Sequence, residues 1–279
     1  MLPLDFYEDA VGWTEEYLLD ANRDQIANDL QLIVERWENR VDYEIIKRAL
    51  TNTENPIGAS GYDVGWAIGS GVNVPYIPPQ WMGKVFDSTH THYVVKDSAS
   101  NGFDDLLSAM QVELRHHGFS GRLLCYVSES DIDQIKTDLG ADFVRVVPGE
   151  FNITGGNASS PIFTVTGQPF EGVPGEIFGM YFGSYGVVEL RYHSRIPTGY
   201  AFMTKPMGQG NRANGLAIRV HPAIPFGLRP DVRVTSSINP RLEQLRFNAA
   251  FGVGVSDRLN GVAGYIANGA STWVNPTIS

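Results

Sequence analysis

The chain has 279 residues, with 31 acidic side chains against 21 basic ones and a single cysteine. A hydrophobic content of 43% is too high for a disordered chain. No charged-then-apolar leader opens the sequence, and no apolar run approaches the roughly 18 residues that a membrane helix needs. One thiol, Cys125, excludes a disulfide framework and a thiolate metal cluster. These properties predict a soluble protein of one or two domains that is rich in turns.

The charge is unevenly distributed along the chain. Residues 1–150 carry 25 acids and 11 bases, a net charge of −14, whereas residues 151–279 carry 6 acids and 10 bases, a net charge of +4. Two halves of opposite sign suggest either self-complementary packing between copies or two faces that meet different surroundings. The alternative is an acidic helix that lies beside an ordinary β-rich region, and composition alone leaves both interpretations open.

The first fifty residues are predicted to be helical. Asn22 and Gln25 have the spacing of a capping box. A helix is predicted over residues 22–50, preceded by a shorter helix over residues 4–19. Apolar side chains recur every three to five residues along the long helix, which is typical of an amphipathic packing element: Ile26, Leu30, Ile33, Trp37, Val41, Ile45 and Leu50.

The character of the sequence changes at Thr51. Prolines, glycines and short alternating runs predict extended structure with long turns over residues 51–101, including a strand at residues 92–95. A second helix is predicted from a cap at Asn101 to a stop at Gly118. A short apolar strand at residues 123–127 would bury Cys125, and a brief helix at residues 130–138 would close at Gly140.

The remainder of the chain is predicted to contain strands and no helix. Helices early and strands late, without regular alternation, indicate an α+β fold rather than a doubly wound sheet. Residues 149–161 are predicted to form an exposed loop. The predicted strands lie at residues 143–147, 162–166, 177–182, 187–192, 200–204, 216–220, 232–235, 245–255 and 261–266.

His90 and His92 are the strongest metal-ligand candidates. Two histidines one residue apart in a strand point to opposite faces, which disfavours chelation, and the next acid, Asp97, does not complete a cupin-type pattern. No metal, cofactor or catalytic residue is therefore predicted. A metal enzyme built on these two histidines is kept as an alternative hypothesis.

The other histidines and the glycine-rich motifs do not predict a catalytic site. His116 and His117 are expected to act at the C-terminal end of a helix, while His193 and His221 are expected to stand alone. The glycine-rich motifs at residues 69–71, 183–186 and 208–210 lack the spacing and residues of a hydrolase elbow, a P-loop or a dinucleotide fingerprint.

Five segments carry a resemblance to a known family. Residues 246–263, RFNAAFGVGVSDRLNGVA, resemble the closing segment of tailed-phage major capsid proteins with the Hong Kong 97-type fold. Residues 49–53 are similar to the end of that family's spine helix. The FDSTHTHY run at residues 86–93 resembles a turn in a subgroup from phages of actinobacterial-type hosts, as do residues 221–222 and 227–229.

The resemblance implies a domain arrangement within the α+β class. It has a peripheral domain of long strands with a spine helix, and an axial α/β domain. The family's N-terminal arm and extended loop normally precede the spine helix, where this chain has only about twenty residues, so no cross-linking residue is assigned. The implied segments are a shortened arm (1–21), the peripheral domain (22–101) with the spine helix (22–50), the axial domain (102–242), the returning peripheral strand (243–256) and the C-terminal axial strand (257–279).

The resemblance also implies a structural function with no enzymatic activity. Copies would form hexamers and pentamers of an icosahedral shell in the virion, assembled in the host cytoplasm around double-stranded DNA without sequence-specific contacts and without a membrane. Scaffold, portal or decoration proteins are possible partners, and an encapsulin-type nanocompartment is the alternative. The acidic residues around the spine helix would then line the inner wall. The tryptophans are expected to lie partly at interfaces, with Trp37 assigned to the core: Trp13, Trp37, Trp66, Trp81 and Trp273.

Overall fold

The computed structural model describes residues 2–145, 176–183, 185–223, 227–231 and 242–278. Its helices are α1 (Glu15–Asp20), α2 (Arg23–Leu50), α3 (Phe103–His116) and α4 (Ile132–Leu139). Its strands are β1 (Asp5–Thr14), β2 (Asn55–Pro56), β3 (Tyr62–Asp63), β4 (Tyr93–Asp97), β5 (Leu123–Ser128), β6 (Phe143–Arg145), β7 (Glu176–Gly183), β8 (Gly186–His193), β9 (Tyr200–Thr204), β10 (Leu216–Val220), β11 (Arg229–Asp231), β12 (Leu242–Val255) and β13 (Val262–Ala267).

The long helix α2 confirms the predicted N-terminal cap. The Asn22 side chain accepts a hydrogen bond from the Gln25 backbone N–H at 2.9 Å, and the Gln25 side chain accepts one from the Asn22 N–H at 2.8 Å. At 28 residues, α2 is about 42 Å long. Most of its buried side chains lie at its C-terminal end, where the helix meets the seven-stranded sheet described below.

Residues 4–19 were expected to form a helix, and that expectation is wrong. Residues 5–14 form β1, and only the six residues of α1 are helical before α2. Tyr7, Val11 and Trp13 lie at alternate positions whose side chains are partly buried, which is the period of a strand. Because β1 pairs over its whole length with β12, whose paired residues are 228 to 246 positions away, its partner could not be recognised locally.

The four-stranded sheet is built around β12. This 14-residue strand pairs antiparallel with β1 along one edge and with β10 and β11 along the other. The predicted strands at 216–220 and 245–255 are therefore confirmed, the second with a longer N-terminal end. Helix α2 packs against β1 and β12 and covers one face of this sheet.

The seven-stranded sheet has the order β4-β13-β9-β5-β8-β7-β6. Its β4–β13 and β5–β8 pairs are parallel and its other pairs are antiparallel, so the mixed α+β class is confirmed. Along β5, the side chains of Leu123, Cys125 and Val127 face a core with α3 and α4, whereas Leu124 and Tyr126 face a second core at the end of α2. The sheet is therefore buried on both faces, and Cys125 is buried as predicted.

The two shorter helices differ from the prediction in their caps. Helix α3 is capped by Gly102 rather than Asn101, whose side chain donates to the Asp97 carbonyl at 2.9 Å. It ends before Gly118, which has a φ of +87° and lies where the stop was predicted. Helix α4 starts two residues later than predicted, after a 3₁₀ turn at Glu129–Asp131, and ends at Gly140.

The remaining strand predictions fall into two groups. The strands at 177–182, 187–192, 200–204 and 261–266 are confirmed within one residue at each end. Residues 51–92 contain two-residue strands, a 3₁₀ helix at Gly58–Ser60, turns and isolated bridges. The predicted strands at 162–166 and 232–235, the loop at 149–161 and the end of the strand at 143–147 lie outside the described residues.

The strand pairing cuts across the expected segment boundaries. Strand β4 lies within 22–101 but pairs with β13 in the seven-stranded sheet. Strands β10 and β11 lie within 102–242 but pair with β12 in the four-stranded sheet. Since β12 continues through a tight turn into β13, the chain passes from one sheet to the other at residues 256–261.

Candidate functional site

The C-terminal end of α2 is anchored by a buried ion pair. The Arg48 guanidinium lies 2.9 Å from the Asp63 carboxylate, and both side chains are buried. Arg48 also donates to the backbone carbonyls of Thr51 and Thr53, and the Tyr93 hydroxyl donates to Thr51 at 3.1 Å. Burial raises the pKa of Tyr93 to about 12 and raises the pKa of Asp63, while Arg48 acts in the opposite direction on both. This network holds the helix end against the sheet.

Trp66 fills the space beneath the end of α2. Its side chain is fully buried, its indole N–H donates to the Ala49 carbonyl at 2.8 Å, and its ring stacks on Phe202 with centroids 5.2 Å apart. A Cβ at Gly261 would collide with the indole, so glycine is required there for the close approach. Trp66 thus contacts α2, the seven-stranded sheet and the turn that leads into β13.

The turn between the two sheets is held by Arg258 and Asn260, both within the capsid-like motif. Arg258 donates to the carbonyls of Gly65 at 3.0 Å and Val74 at 2.9 Å. The buried Asn260 amide donates to the carbonyls of Lys205 and Ala213 and accepts from the Lys205 N–H. The motif therefore specifies a hydrogen-bonded junction, a role that sequence reasoning did not assign to either residue.

A second buried ion pair lies in the middle of the seven-stranded sheet. Glu189 on β8 is fully buried and accepts from the Arg191 guanidinium at 2.7 Å and from Arg122. Burial lowers the pKa of both arginines. Arg191 lies two residues from Glu189 on the same strand, whereas Arg122 meets Glu189 only when β5 and β8 pair.

The acidic excess is not on the long helix itself. Helix α2 carries six acids and five bases, whereas residues 2–20 carry six acids and no base. Part of this charge is paired: Asp9 lies 3.6 Å from Arg36, and Glu8 lies 3.1 Å from Arg246 on β12. The acidic surface is thus formed by β1 and α1, and β12 supplies a base from the positive half of the chain.

An apolar tip projects from the irregular segment before β4. Met82 is 92% exposed, Val85 is 73% exposed and Trp81 is 46% exposed. The tip is closed by a bridge between Trp81 and Lys84, with Met82 and Gly83 both at positive φ. Three neighbouring apolar side chains in solvent are typical of a contact surface for another protein chain.

The five tryptophans differ in burial, so they do not share the interface role that was expected of them. Trp66 is fully buried, so its assignment to an interface is wrong. Trp37 is partly buried with its ring edge against Phe251, and Trp13 donates to Asp29 at 2.8 Å. Trp273 packs on the core at the end of α2, which leaves Trp81 as the most exposed of the five.

Four side chains converge where the turn before β4 meets the end of α3. His90, His92, Glu113 and His117 each offer a ligand atom, and these atoms lie within 4.8 Å of one another. The expectation that His90 and His92 point to opposite faces is wrong, because β4 begins only at Tyr93 and the two histidines lie before it, on either side of an isolated bridge at Thr91. Their ring centroids are 5.0 Å apart.

This histidine cluster is packed and largely removed from the surface. The His92 side chain is fully buried, and Phe86 lies against the rings of His90 and His117 with centroids 4.7 and 4.6 Å away. Burial lowers the pKa of His90 and His117 to about 4 and that of His92 well below its usual value. The three imidazoles are therefore neutral at pH 7, and burial raises the pKa of Glu113.

The other histidines also have partners that the sequence did not indicate. His117 is the C-cap residue of α3, as expected, and its backbone N–H donates to the Leu114 carbonyl at 3.2 Å, while its ring turns into the cluster. His116 contacts Lys84 at 2.6 Å. His193 lies 3.6 Å from Asp42 on α2, and His221 lies beside the ring of Phe6, so neither stands alone.

No helix in the described part of the chain is long and apolar enough to cross a membrane.

No family model matches the sequence, and no curated protein is similar to it. The three-dimensional comparison is informative: a chain of the solved structure of Mycobacterium phage Patience superposes with a TM-score of 0.73 and 20% identity, over 99% of this chain and 73% of that chain. The chain has a phage-capsid fold.

Two further structures share the fold with lower similarity. The capsid of Ralstonia phage GP4 matches with a TM-score of 0.51 and 11% identity, over 97% of this chain and 76% of that chain. The holo-SrpI encapsulin complex from Synechococcus elongatus PCC 7942 matches with a TM-score of 0.53 and 13% identity, over 94% of this chain and 73% of that chain. A phage capsid and an encapsulin complex therefore contain chains that share the fold of this chain.

Proposed function

We propose that this chain is the major capsid protein of a tailed phage with the Hong Kong 97-type fold, in the subgroup found in phages of actinobacterial-type hosts. The observation that carries the proposal is the superposition on the Mycobacterium phage chain, with a TM-score of 0.73 over 99% of the residues. The motif at residues 246–263 lies at the junction between the two sheets, where the family's returning strand enters its axial domain.

The two sheets support a division into two domains. The proposed peripheral domain comprises α2 and the sheet of β1, β10, β11 and β12. The proposed axial domain comprises the seven-stranded sheet with α3 and α4. This division keeps the predicted spine helix and the returning strand, and it places β4 with the axial domain and β10 and β11 with the peripheral domain.

The surface of the subunit is suited to contacts between copies. The apolar tip at residues 81–85 would bury its exposed side chains against a neighbour. The acidic strand β1 and the positive half of the chain offer opposite charges for contacts between subunits. In a closed shell such heterologous contacts repeat around hexamers and pentamers, and many interfaces of modest area give stability together.

The proposed shell encloses double-stranded DNA in the virion, after assembly in the host cytoplasm. An acidic inner wall would not adhere to the packaged phosphates. Scaffold, portal or decoration proteins would be further partners. The proposed role is structural and needs no catalytic residue.

An encapsulin-type nanocompartment is the second candidate, supported by the match to the SrpI complex at a TM-score of 0.53. The higher score of the phage chain favours the capsid function. The gene neighbourhood distinguishes the two functions: portal, protease and terminase genes would favour a capsid, and a cargo-enzyme gene would favour a nanocompartment.

Electron microscopy of the purified full chain tests whether it forms a shell. We expect closed shells, or at least hexamers and pentamers, under some assembly condition. Met82→Asp should abolish them while the far-ultraviolet circular dichroism stays unchanged, because the side chain is 92% exposed in the subunit. Met82→Leu, which keeps an apolar tip, is the matched control. A chain that remains strictly monomeric under all conditions would contradict the proposal.

A further inference from the structure

We propose that His90, His92, Glu113 and His117 form a binding site for one divalent transition-metal ion, with Zn²⁺ as the ion that fits best. Three imidazoles and one carboxylate are a donor set that zinc accepts in tetrahedral sites. The site is a property of the folded subunit, so it does not depend on whether the chain builds a phage capsid.

The spacing of the ligand atoms suits a single ion. One atom from each of the four side chains lies within 4.8 Å of an atom from every other one. The Nε2 atoms of His90 and His117 are 3.1 Å apart. Two nitrogens bound to the same tetrahedral zinc at 2.0–2.1 Å would lie about 3.3 Å apart, so the pair needs only a small adjustment to chelate.

His92 is oriented as a metal ligand would be. Its Nδ1 lies 2.7 Å from the Gly261 carbonyl oxygen, which fixes the proton on Nδ1 as the donor. The lone pair of Nε2 then points into the cluster, where this fully buried atom has no hydrogen-bond partner. The Oε2 atom of Glu113 is also buried without a hydrogen bond. A buried acceptor without a partner is costly, and a bound cation would satisfy both atoms.

Charges of both signs surround the cluster. The Glu113 carboxylate supplies a negative charge within it and lies 3.7 Å from the His90 ring. The Lys84 ammonium contacts His116 at 2.6 Å, outside the four-residue cluster. Lys84 acts electrostatically on His90 and Arg258 on His92, whereas Asp87 acts on His90 in the opposite direction.

The ion would cross-link two parts of the fold that also meet where Lys84 contacts His116 and Phe86 packs on His117. His90 and His92 lie in the turn before β4, whereas Glu113 and His117 lie at the end of α3. The hydrogen bond from His92 to Gly261 extends the connection to the start of β13. Four protein ligands leave no open position, which is typical of a structural rather than a catalytic zinc.

Metal analysis of the untagged full chain, purified without chelators, tests this proposal. We expect about one zinc per chain, bound by the four side chains. After chelation, titration with Co²⁺ should give the visible absorption of tetrahedral cobalt. Chelation should also lower the melting temperature of the wild-type chain. These readouts require only the folded subunit, so they succeed or fail independently of shell formation.

Two ligand variants and one control locate the site. His117→Gln and Glu113→Gln should weaken Co²⁺ binding by about 100-fold or more, since loss of a ligand costs more than loss of an outer-sphere partner. His116→Gln, at the same helix end but outside the four-residue cluster, should bind Co²⁺ like the wild type. Circular dichroism shows whether each variant is folded.

Several results would overturn the proposal. A folded wild-type chain that carries no stoichiometric metal and gives no cobalt absorption has no such site. Equal weakening in His116→Gln and His117→Gln would mean that the metal binds elsewhere. A melting temperature that chelation lowers equally in the wild type and in His117→Gln would exclude these ligands.

Discussion

Replacing Trp66 with phenylalanine removes the indole N–H that donates to the Ala49 carbonyl at 2.8 Å and leaves space where the second ring stood. Leaving the buried carbonyl unpaired costs about 1–3 kcal/mol. Complete removal of a buried aromatic side chain costs about 3–5 kcal/mol; retaining one ring limits the packing loss to a fraction of that, about 1–2 kcal/mol. We therefore expect Trp66→Phe to lower the free energy of unfolding by about 3 kcal/mol.

Urea denaturation of the unassembled chain, followed by far-ultraviolet circular dichroism, measures this loss. A decrease of about 3 kcal/mol shifts the midpoint by about 1 M urea for a chain of this size. Trp81→Phe is the matched control: it is the same substitution at a side chain that is 46% exposed, and it should change stability by less than about 0.5 kcal/mol. Equal midpoints for the two variants would refute the role assigned to Trp66 at the end of α2.

Three further predictions concern charge and reactivity. Glu189→Gln should destabilise the chain by about 3 kcal/mol in the same urea assay, because it removes the buried carboxylate between Arg122 and Arg191; a loss below about 1 kcal/mol would argue against a buried pair. Cys125 should not react with a maleimide until the chain is unfolded, since burial hides the thiol and raises its pKa. Mass spectrometry measures the labelling, and a labelled thiol in the folded chain would contradict the prediction. Assembly followed by light scattering should weaken at about 1 M salt, where the Debye length is about 3 Å; assembly that is indifferent to salt would contradict the proposed charge pairing.

Local signals identified the elements whose stabilising contacts are nearby in the sequence. The capping box of Asn22 and Gln25 marked the start of α2, and the apolar run of β5 marked a strand buried on both faces. The strand β1 was missed because its stability comes from pairing with β12 at the other end of the chain. A window that covers residues 4–19 alone sees acidic and apolar side chains and cannot distinguish a half-covered strand from a helix.

The histidine cluster shows the same limit for a site. The spacing of His90 and His92 suggested opposite faces, which holds only inside a regular strand. Glu113 and His117, four residues apart on α3, are adjacent on one helix face, a spacing that could have suggested a pair of ligands. Only the packing of α3 beside the turn before β4 brings both pairs together.

The sequence by itself determined the α+β class, the long capped helix, the strands of the seven-stranded sheet, β10 and β12 of the other sheet and the motif at residues 246–263, because each depends on local periodicity, capping or a contiguous pattern. The tertiary structure decided what sequence separation conceals: the pairing of β1 with β12, the ion pair of Glu189 with Arg122, the junction at Trp66 and the convergence of His90 and His92 with Glu113 and His117. These features arise from contacts between residues far apart in the chain. Such contacts leave no periodic trace at either position, since each side chain is selected for a partner that only folding supplies.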